Sequence, residues 1–121
     1  MGTAELEVLK VLWDRGPNTV REVLNLLRAR GRRIAYTTAQ TLLTRLERKG
    51  FVKSDKSDLA HVFRASLTRD RVARSRLKSL VAQLYDGEAG SLVLHLVRTE
   101  RLTPEDIDQL QELIDRLESE S

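Results

Sequence analysis

The segment that most constrains this chain is a predicted helix over residues 35–50, whose two faces differ in chemistry. Each β-branched threonine loses χ1 freedom in a helix and costs about 0.5 kcal/mol relative to alanine. A threonine-rich face therefore indicates residues that serve a contact, although a solvated helix that happens to be rich in threonine is the alternative. The apolar face, at helical spacing and suited to burial, consists of Ala39, Leu42, Leu43 and Leu46. The polar face consists of Thr37, Thr38, Gln40, Thr41, Thr44, Arg45 and Arg48, with Lys49 at its end.

The polar face carries the chemical groups that read DNA in the major groove. Glutamine pairs bidentately with adenine, threonine methyls pack on the thymine methyl, and guanidinium groups bind base edges and phosphates. We therefore predict base contacts from the start of the helix, by Thr37, Thr38, Gln40 and Thr41. Thr37 and Gln40 also fit a capping box, in which both side chains would bind the helix backbone instead. The sequence leaves that alternative open.

Positive charge is concentrated in the same part of the chain. Residues 1–66 contain 13 lysines and arginines against 7 acids, whereas residues 67–121 contain 8 against 11. A basic cluster around one helix is typical of a protein that binds a polyanion. The predicted contacts with the DNA backbone come from the residues around this helix and from the segment that follows it: Arg32, Arg33, Thr44, Arg45, Arg48, Lys49, Lys53, Lys56 and His61.

Two helices are predicted before this one. The first covers residues 3–15, where leucines keep helical spacing. Thr19 and Glu22 then match a capping box, in which a hydroxyl and a carboxylate bind each other's free backbone amides. The second helix begins there and runs to about residue 29. The long helix over 35–50 is therefore the third.

A short hairpin is predicted directly after the third helix. Gly50 ends that helix as a C′ residue, and strand-like runs follow at 51–53 and 59–65 around a polar turn at 54–58. Three helices and a two-stranded hairpin are the order of a winged helix-turn-helix domain. We therefore predict a mainly α fold with a small β-hairpin, in which the third helix enters the major groove and the hairpin reaches the flanking DNA backbone.

The second half of the chain predicts helices that pair two copies. Segments 67–87 and 91–97 have helical patterns, and Thr103 with Pro104 begins a last helix that carries a short heptad seam. On this interpretation residues 1–66 bind DNA and residues 67–121 dimerise. The alternative is that these helices fold back on their own domain. The predicted dimerisation residues are Leu92, Val93, Leu94, Leu96, Val97, Ile107, Leu110, Leu113, Ile114 and Leu117.

Missing residue types and motifs narrow the function further. The chain has no cysteine, so a disulfide framework or thiolate metal site is excluded, and no cofactor or metal is predicted. Its two histidines lie in a strand pattern and an apolar helix pattern, without an HExxH, phosphate-loop or GxSxG motif, so an enzyme is not expected. No apolar run approaches the roughly 20 residues that span a bilayer. With no signal-peptide pattern either, we expect a cytoplasmic protein without membrane insertion.

Several motifs, in a fixed order, cover nearly the whole chain. They are Ala4-Glu5-Leu6-Glu7-Val8 with Leu12-Trp13, then Thr19-Val20-Arg21-Glu22-Val23, then Ala35-Tyr36-Thr37-Thr38 and Thr41-Leu42-Leu43-Thr44-Arg45-Leu46 with Lys49-Gly50, and finally Ser91-Leu92-Val93-Leu94 with TPEDIDQLQELI. In this order they resemble the BlaI/MecI/CopY family of bacterial transcriptional repressors, the penicillinase repressor family. The resemblance is specific because several motifs agree in their order.

The resemblance implies a homodimer that binds double-stranded operator DNA, a palindrome of TACA…TGTA type, and blocks transcription. In the antibiotic-sensing members a membrane-bound sensor protease cleaves the repressor in its dimerisation region, commonly between Asn and Phe. The matching positions here are His95 and Leu96, a candidate cut site that departs from that pair. Copper-responsive members carry C-terminal cysteine clusters, and that route of sensing is excluded here. The alternative function is a winged-helix protein–protein interaction module without operator binding, since a fold does not fix a function.

Overall fold

The computed structural model describes residues 2–120, which form two compact units that divide after residue 75. Met1 and Ser121, the outer ends of the two predicted domains, lie outside the described residues. The predicted functional division after residue 66 stays a prediction. The first unit contains α1 (Thr3–Arg15), β1 (Asn18–Thr19), α2 (Val20–Ala29), α3 (Tyr36–Arg48), β2 (Val52–Asp55), β3 (Val62–Ala65) and the start of α4 (Arg69–Leu84).

The capping box predicted at the start of α2 is confirmed. The backbone N–H of Glu22 donates to the Thr19 hydroxyl at 3.2 Å, and the backbone N–H of Thr19 donates to the Glu22 carboxylate at 2.8 Å. Two amides that the helix leaves free at its N-terminus thereby gain partners. The direction of α2 is fixed at this end by local sequence.

The end of α3 also follows the sequence prediction. Gly50 has a φ of 86°, a left-handed conformation that glycine adopts without a Cβ penalty. The N–H of Phe51 donates to the carbonyl of Leu46 at 2.9 Å, and the N–H of Gly50 donates to that of Glu47 at 3.1 Å. This bonding is a Schellman motif, so the prediction that Gly50 is the C′ residue is confirmed.

The start of α3 excludes the capping-box alternative for Thr37 and Gln40. The N-cap residue is Ala35, which has an extended backbone and no side-chain cap. Thr37 lies inside the first turn, where its hydroxyl is not in an N-cap position. The capping-box interpretation of this pair is therefore wrong.

The predicted two-stranded hairpin is part of a three-stranded antiparallel sheet with the order β1-β3-β2. In the register of β2 and β3, Val52 pairs with Ala65 and Asp55 pairs with Val62. The added strand, β1, places Asn18 opposite Phe63. Sequence reasoning missed β1 because two residues are too few to show a strand's alternating pattern. We call residues 52–65 the wing.

The core of the first unit lies where the apolar stripes of α1, α2 and α3 meet the sheet. The stripe predicted on α3 is buried, since its four apolar residues are at most 6% exposed. Trp13 closes one side of this core, and its indole N–H donates to the carbonyl of Leu67 at 2.8 Å. Each fully buried leucine contributes about 1.5–3 kcal/mol relative to an exposed one, so this contact surface fixes α3 firmly. The other buried apolar residues include Val8, Leu9, Val11, Val23, Leu24, Leu27, Val52 and Phe63.

The second unit contains the rest of α4, then α5 (Ala89–Thr99) and α6 (Pro104–Glu120). The predicted cap of the last helix is confirmed, because the N–H of Asp106 donates to the Thr103 hydroxyl at 3.0 Å. The ring of Tyr85 lies edge-on to that of His95, with centroids 6.3 Å apart. Within residues 2–120, none of the helices has the length and apolar character needed to cross a membrane.

Candidate nucleic-acid interface

The polar face of α3 is exposed over its full length, whereas Ala39, Leu43 and Leu46 on the opposite face are fully buried. The four residues predicted to read bases, Thr37, Thr38, Gln40 and Thr41, are all exposed. The protein core therefore holds the helix by one face and presents the other to solvent.

The threonine hydroxyls along this face differ in their hydrogen bonding. The Thr41 hydroxyl donates to the carbonyl of Thr37, and the Thr44 hydroxyl donates to that of Gln40, both at 2.9 Å. Their protons are therefore engaged, and each side chain can offer an outside partner its methyl and its oxygen lone pairs. In the described part of the chain, the side chains of Thr37, Thr38 and Gln40 form no hydrogen bond to another protein group. These three are available to an external ligand.

Two arginines extend the polar face towards the C-terminal end of α3. Arg45 and Arg48 are exposed and, with Gln40, Thr41 and Thr44, line a surface depression of about 260 Å³. The base-reading candidates and the cations thus share one continuous surface. Such a surface combines groups that accept and donate with groups that neutralise phosphate charge.

Lys49 and Arg32, two of the predicted phosphate contacts, already have acidic partners in α1. The Lys49 ammonium donates to the Glu5 carboxylate at 2.9 and 3.2 Å, and Glu5 is only 6% exposed. The guanidinium of Arg32 binds both carboxylate oxygens of Glu7, at 2.5 and 2.9 Å. These hydrogen bonds lower the pKa of each glutamate and raise the pKa of Arg32. Both cations tie the ends of the α3 region to α1.

The wing is anchored to the end of α3 by polar contacts. The Ser54 hydroxyl donates to the Glu47 carboxylate, and the Ser66 hydroxyl donates to the carbonyl of Gly50 at 2.7 Å. At the other end of β2, the Asp55 carboxylate accepts the N–H of Ser57 at 2.9 Å, and the hydrogen bonds from Ser57 lower the pKa of Asp55. The predicted backbone contacts of this region, Lys53, Lys56 and His61, are all exposed, as is Arg33 before α3.

Sequence reasoning missed one pair at the same surface. Arg21 of α2 lies over the ring of Tyr36, the first residue of α3, with its guanidinium carbon 4.9 Å from the ring centroid. A charged residue early in a capped helix and an aromatic residue early in the next were the available signals, but their contact depends on how the helices pack. Both residues line a groove of about 370 Å³ between the helices and the wing, together with Gln40, Thr44, Lys56 and His61.

In the second unit, most of the predicted dimerisation residues are exposed apolar side chains. On α5, Val93, Leu94, Leu96 and Val97 are between 43% and 55% exposed. On α6, Ile107, Leu113, Ile114 and Leu117 are between 48% and 65% exposed. Leu92 is buried and Leu110 is half-buried, while His95 is exposed within α5. Contiguous exposed apolar residues of this kind mark an interaction surface.

Comparison with known proteins identifies the family. A sequence model described as penicillinase repressor matches residues 1–116. The chain belongs to the penicillinase repressor family. Among its relatives are the transcriptional regulator BlaI of Mycobacterium tuberculosis, 35% identical over 98% of this chain and 86% of the relative. The penicillinase repressor of Bacillus licheniformis is 28% identical over 93% of this chain and 87% of the relative.

A solved structure shows the same fold. A crystal structure of a mutant MarR from E. coli covers 97% of this chain and 77% of that chain, with a TM-score of 0.50 at 21% identity. The winged helix-turn-helix prediction is confirmed, with a small three-stranded sheet in place of the two-stranded hairpin. The family consists of transcriptional repressors, which are not enzymes.

Proposed function

We propose that this penicillinase repressor family member is a homodimeric, sequence-specific DNA-binding repressor that acts on a palindromic operator through α3. The observation that carries this proposal is the exposed polar face of α3, whose Thr37, Thr38 and Gln40 side chains have no partner within residues 2–120. A helix held by a buried stripe and presenting unpaired donors and acceptors is suited to the major groove.

The residues divide into three roles. Thr37, Thr38, Gln40 and Thr41 read base edges, and the exposed cations beside them bind phosphates. Lys49 and Arg32 hold α3 against α1 through Glu5 and Glu7, since those carboxylates already neutralise them. The proposed backbone contacts are therefore Arg33, Thr44, Arg45, Arg48, Lys53, Lys56 and His61.

Dimerisation is supported by the apolar surface of α5 and α6. The 13 residues of α3 span about 20 Å, which is enough for one short half-site. Pairing two copies through the exposed apolar residues of the second unit would place two such helices on one duplex. Selectivity would then come from the spacing of the two half-sites as well as from each base contact.

Relief of repression by proteolysis is part of this proposal. The candidate cut site, His95 and Leu96, lies within α5 beside Val93 and Val97, which are exposed apolar residues of the proposed dimer surface. Cleavage there would separate α6 from the DNA-binding unit and weaken pairing. The proposed protease is a membrane-bound sensor, as in the antibiotic-sensing relatives that the motifs resemble.

A gel-shift titration of the full chain on its own promoter region, across a salt series, tests the operator proposal. We expect tight binding that exceeds binding to an unrelated duplex by a factor on the order of 10³ or more. The combined variant Thr38→Ala and Gln40→Ala should keep the salt-dependent binding but lose the preference for the promoter. Arg15→Ala, at the exposed end of α1, is the matched control. Equal binding to both duplexes by the wild-type chain would contradict operator recognition and favour a protein–protein module.

A further inference from the structure

Arg21 is an exposed cation that the core does not require. It lies in the first turn of α2, where the helix already carries partial positive charge, so a cation is locally unfavourable there. Among residues 2–120 it forms no ion pair with an acid, and its guanidinium lies instead over the Tyr36 ring at 4.9 Å. A separation below about 6 Å is that of a cation–π contact. The ring therefore holds the guanidinium without neutralising it.

The groove beside this pair is continuous with the proposed base-reading surface. Gln40 and Thr44 line both the groove and the depression that contains Arg45 and Arg48. Lys56 of the wing lines the same groove as Arg21 and adds a second cation. Glu47 also lines it, and its carboxylate accepts a hydrogen bond from Ser54. The groove thus runs from α3 to the wing with cations of two elements in its walls.

We propose that Arg21 binds a phosphate of the operator backbone in this groove and that Tyr36 is its positioning residue. This inference rests on the proposed function, because it assigns a further contact to the same DNA complex. The partner is a phosphodiester and not a base, so the contact adds affinity and register but no sequence preference.

The chemistry of the pair suits a phosphate. A guanidinium that stacks on an aromatic face keeps its N–H edge free, and that edge matches two phosphate oxygens bidentately. The ring restricts the conformers of the long Arg21 side chain, so less freedom is lost when the phosphate binds. Tyr36 contributes through its ring face, which phenylalanine also has. Its hydroxyl is not required.

Fluorescence anisotropy with a labelled operator duplex, over roughly 50–200 mM salt, tests the assignment. We expect Arg21→Ala to reduce the slope of log K against log salt by about 0.9 and to weaken binding about five- to tenfold at 0.1 M salt. Tyr36→Phe should match the wild type, whereas Tyr36→Leu should weaken binding about two- to fivefold while the slope is kept. Arg15→Ala is the charge-matched control, and Arg21→Gln is a second variant that keeps most of the side chain's length.

The outcomes separate this inference from the operator proposal. If the wild-type chain binds the operator and both Arg21 variants keep its affinity and slope, the phosphate contact is overturned and operator binding stands. The same holds if the Arg21 variants lose no more than Arg15→Ala, or if they change base preference. If the wild-type chain binds no operator, both proposals fall. Thermal unfolding of each variant by circular dichroism should give a melting temperature close to that of the wild type.

Discussion

The ammonium of Lys49, at the C-cap of α3, donates hydrogen bonds at 2.9 and 3.2 Å to the carboxylate of Glu5 in α1. Glu5 is only 6% exposed, so its charge depends on this cation. The contact joins two helices 44 residues apart in sequence and fixes the end of the proposed recognition helix. In this arrangement Lys49 acts on DNA binding indirectly, by holding α3 in place.

Replacing Lys49 should therefore reduce stability more than it alters DNA affinity. Lys49→Met removes the charge, keeps the stem, and leaves the Glu5 carboxylate without its cation. We expect the free energy of unfolding to fall by about 1–3 kcal/mol in urea denaturation, with little change in the salt slope of DNA binding. Lys53→Met, at an exposed position of β2, is the control. A slope reduced by about one with unchanged stability would instead identify Lys49 as a phosphate contact.

The same ion pair predicts a pH dependence of stability. The hydrogen bond from Lys49 lowers the pKa of Glu5 below 4.5, its value in the unfolded chain. The stabilisation is therefore fully present above pH 4.5 and is lost as the pH falls through the lower pKa of the folded state. Urea midpoints measured from pH 6 down to pH 3 should fall more steeply for the wild type than for Glu5→Gln. Parallel curves for the two proteins would show that Glu5 does not contribute to the acid sensitivity.

Gln40 should specify one base pair in each half-site. Its amide is exposed on the polar face of α3 and suits bidentate pairing with adenine. Gln40→Ala should reduce discrimination at one operator position by about 1–3 kcal/mol and leave other positions unchanged. Competition binding against operators substituted at each position measures this, with Gln83→Ala in α4 as the control. Discrimination retained at every position would remove Gln40 from the set of base-reading residues.

The second unit should be necessary for pairing. Truncation after His95 removes α6 and half of the exposed apolar surface of α5, and we expect a monomer with weak operator affinity. In the full chain, Ile114→Asp places a charge on the apolar surface of α6 and should also dissociate the dimer. Gln109→Asp, an equally exposed polar position, should not. Sedimentation velocity distinguishes these states, and a stable dimer of the truncated chain would contradict the assignment.

The local features of the fold were predictable because short-range sequence rules determine them. The capping box of Thr19 and Glu22, the left-handed Gly50 and the Thr103 cap each depend on residues within a few positions of one another. The buried stripe of α3 follows from periodicity alone. Each of these predictions is confirmed.

The remaining features depend on contacts between distant segments. Strand β1 exists because Asn18 pairs with Phe63, and two isolated residues carry no strand pattern. The partners of Lys49 and Arg32 lie in α1, so a count of basic residues around α3 overstates the charge available to DNA. Arg21 and Tyr36 meet only when α2 packs on α3. Composition located the basic surface, and packing decides which cations are free.

The central claim is that two copies of the chain read an inverted repeat through α3. Selection of binding sites from random duplexes with the full-length chain, followed by measurement of the protein-to-duplex ratio, tests it most directly. We predict a palindrome of two equal half-sites about one helical turn apart, or a multiple of that spacing, bound by two chains. An enriched site without two-fold symmetry, or no enrichment over the starting pool, would contradict the account.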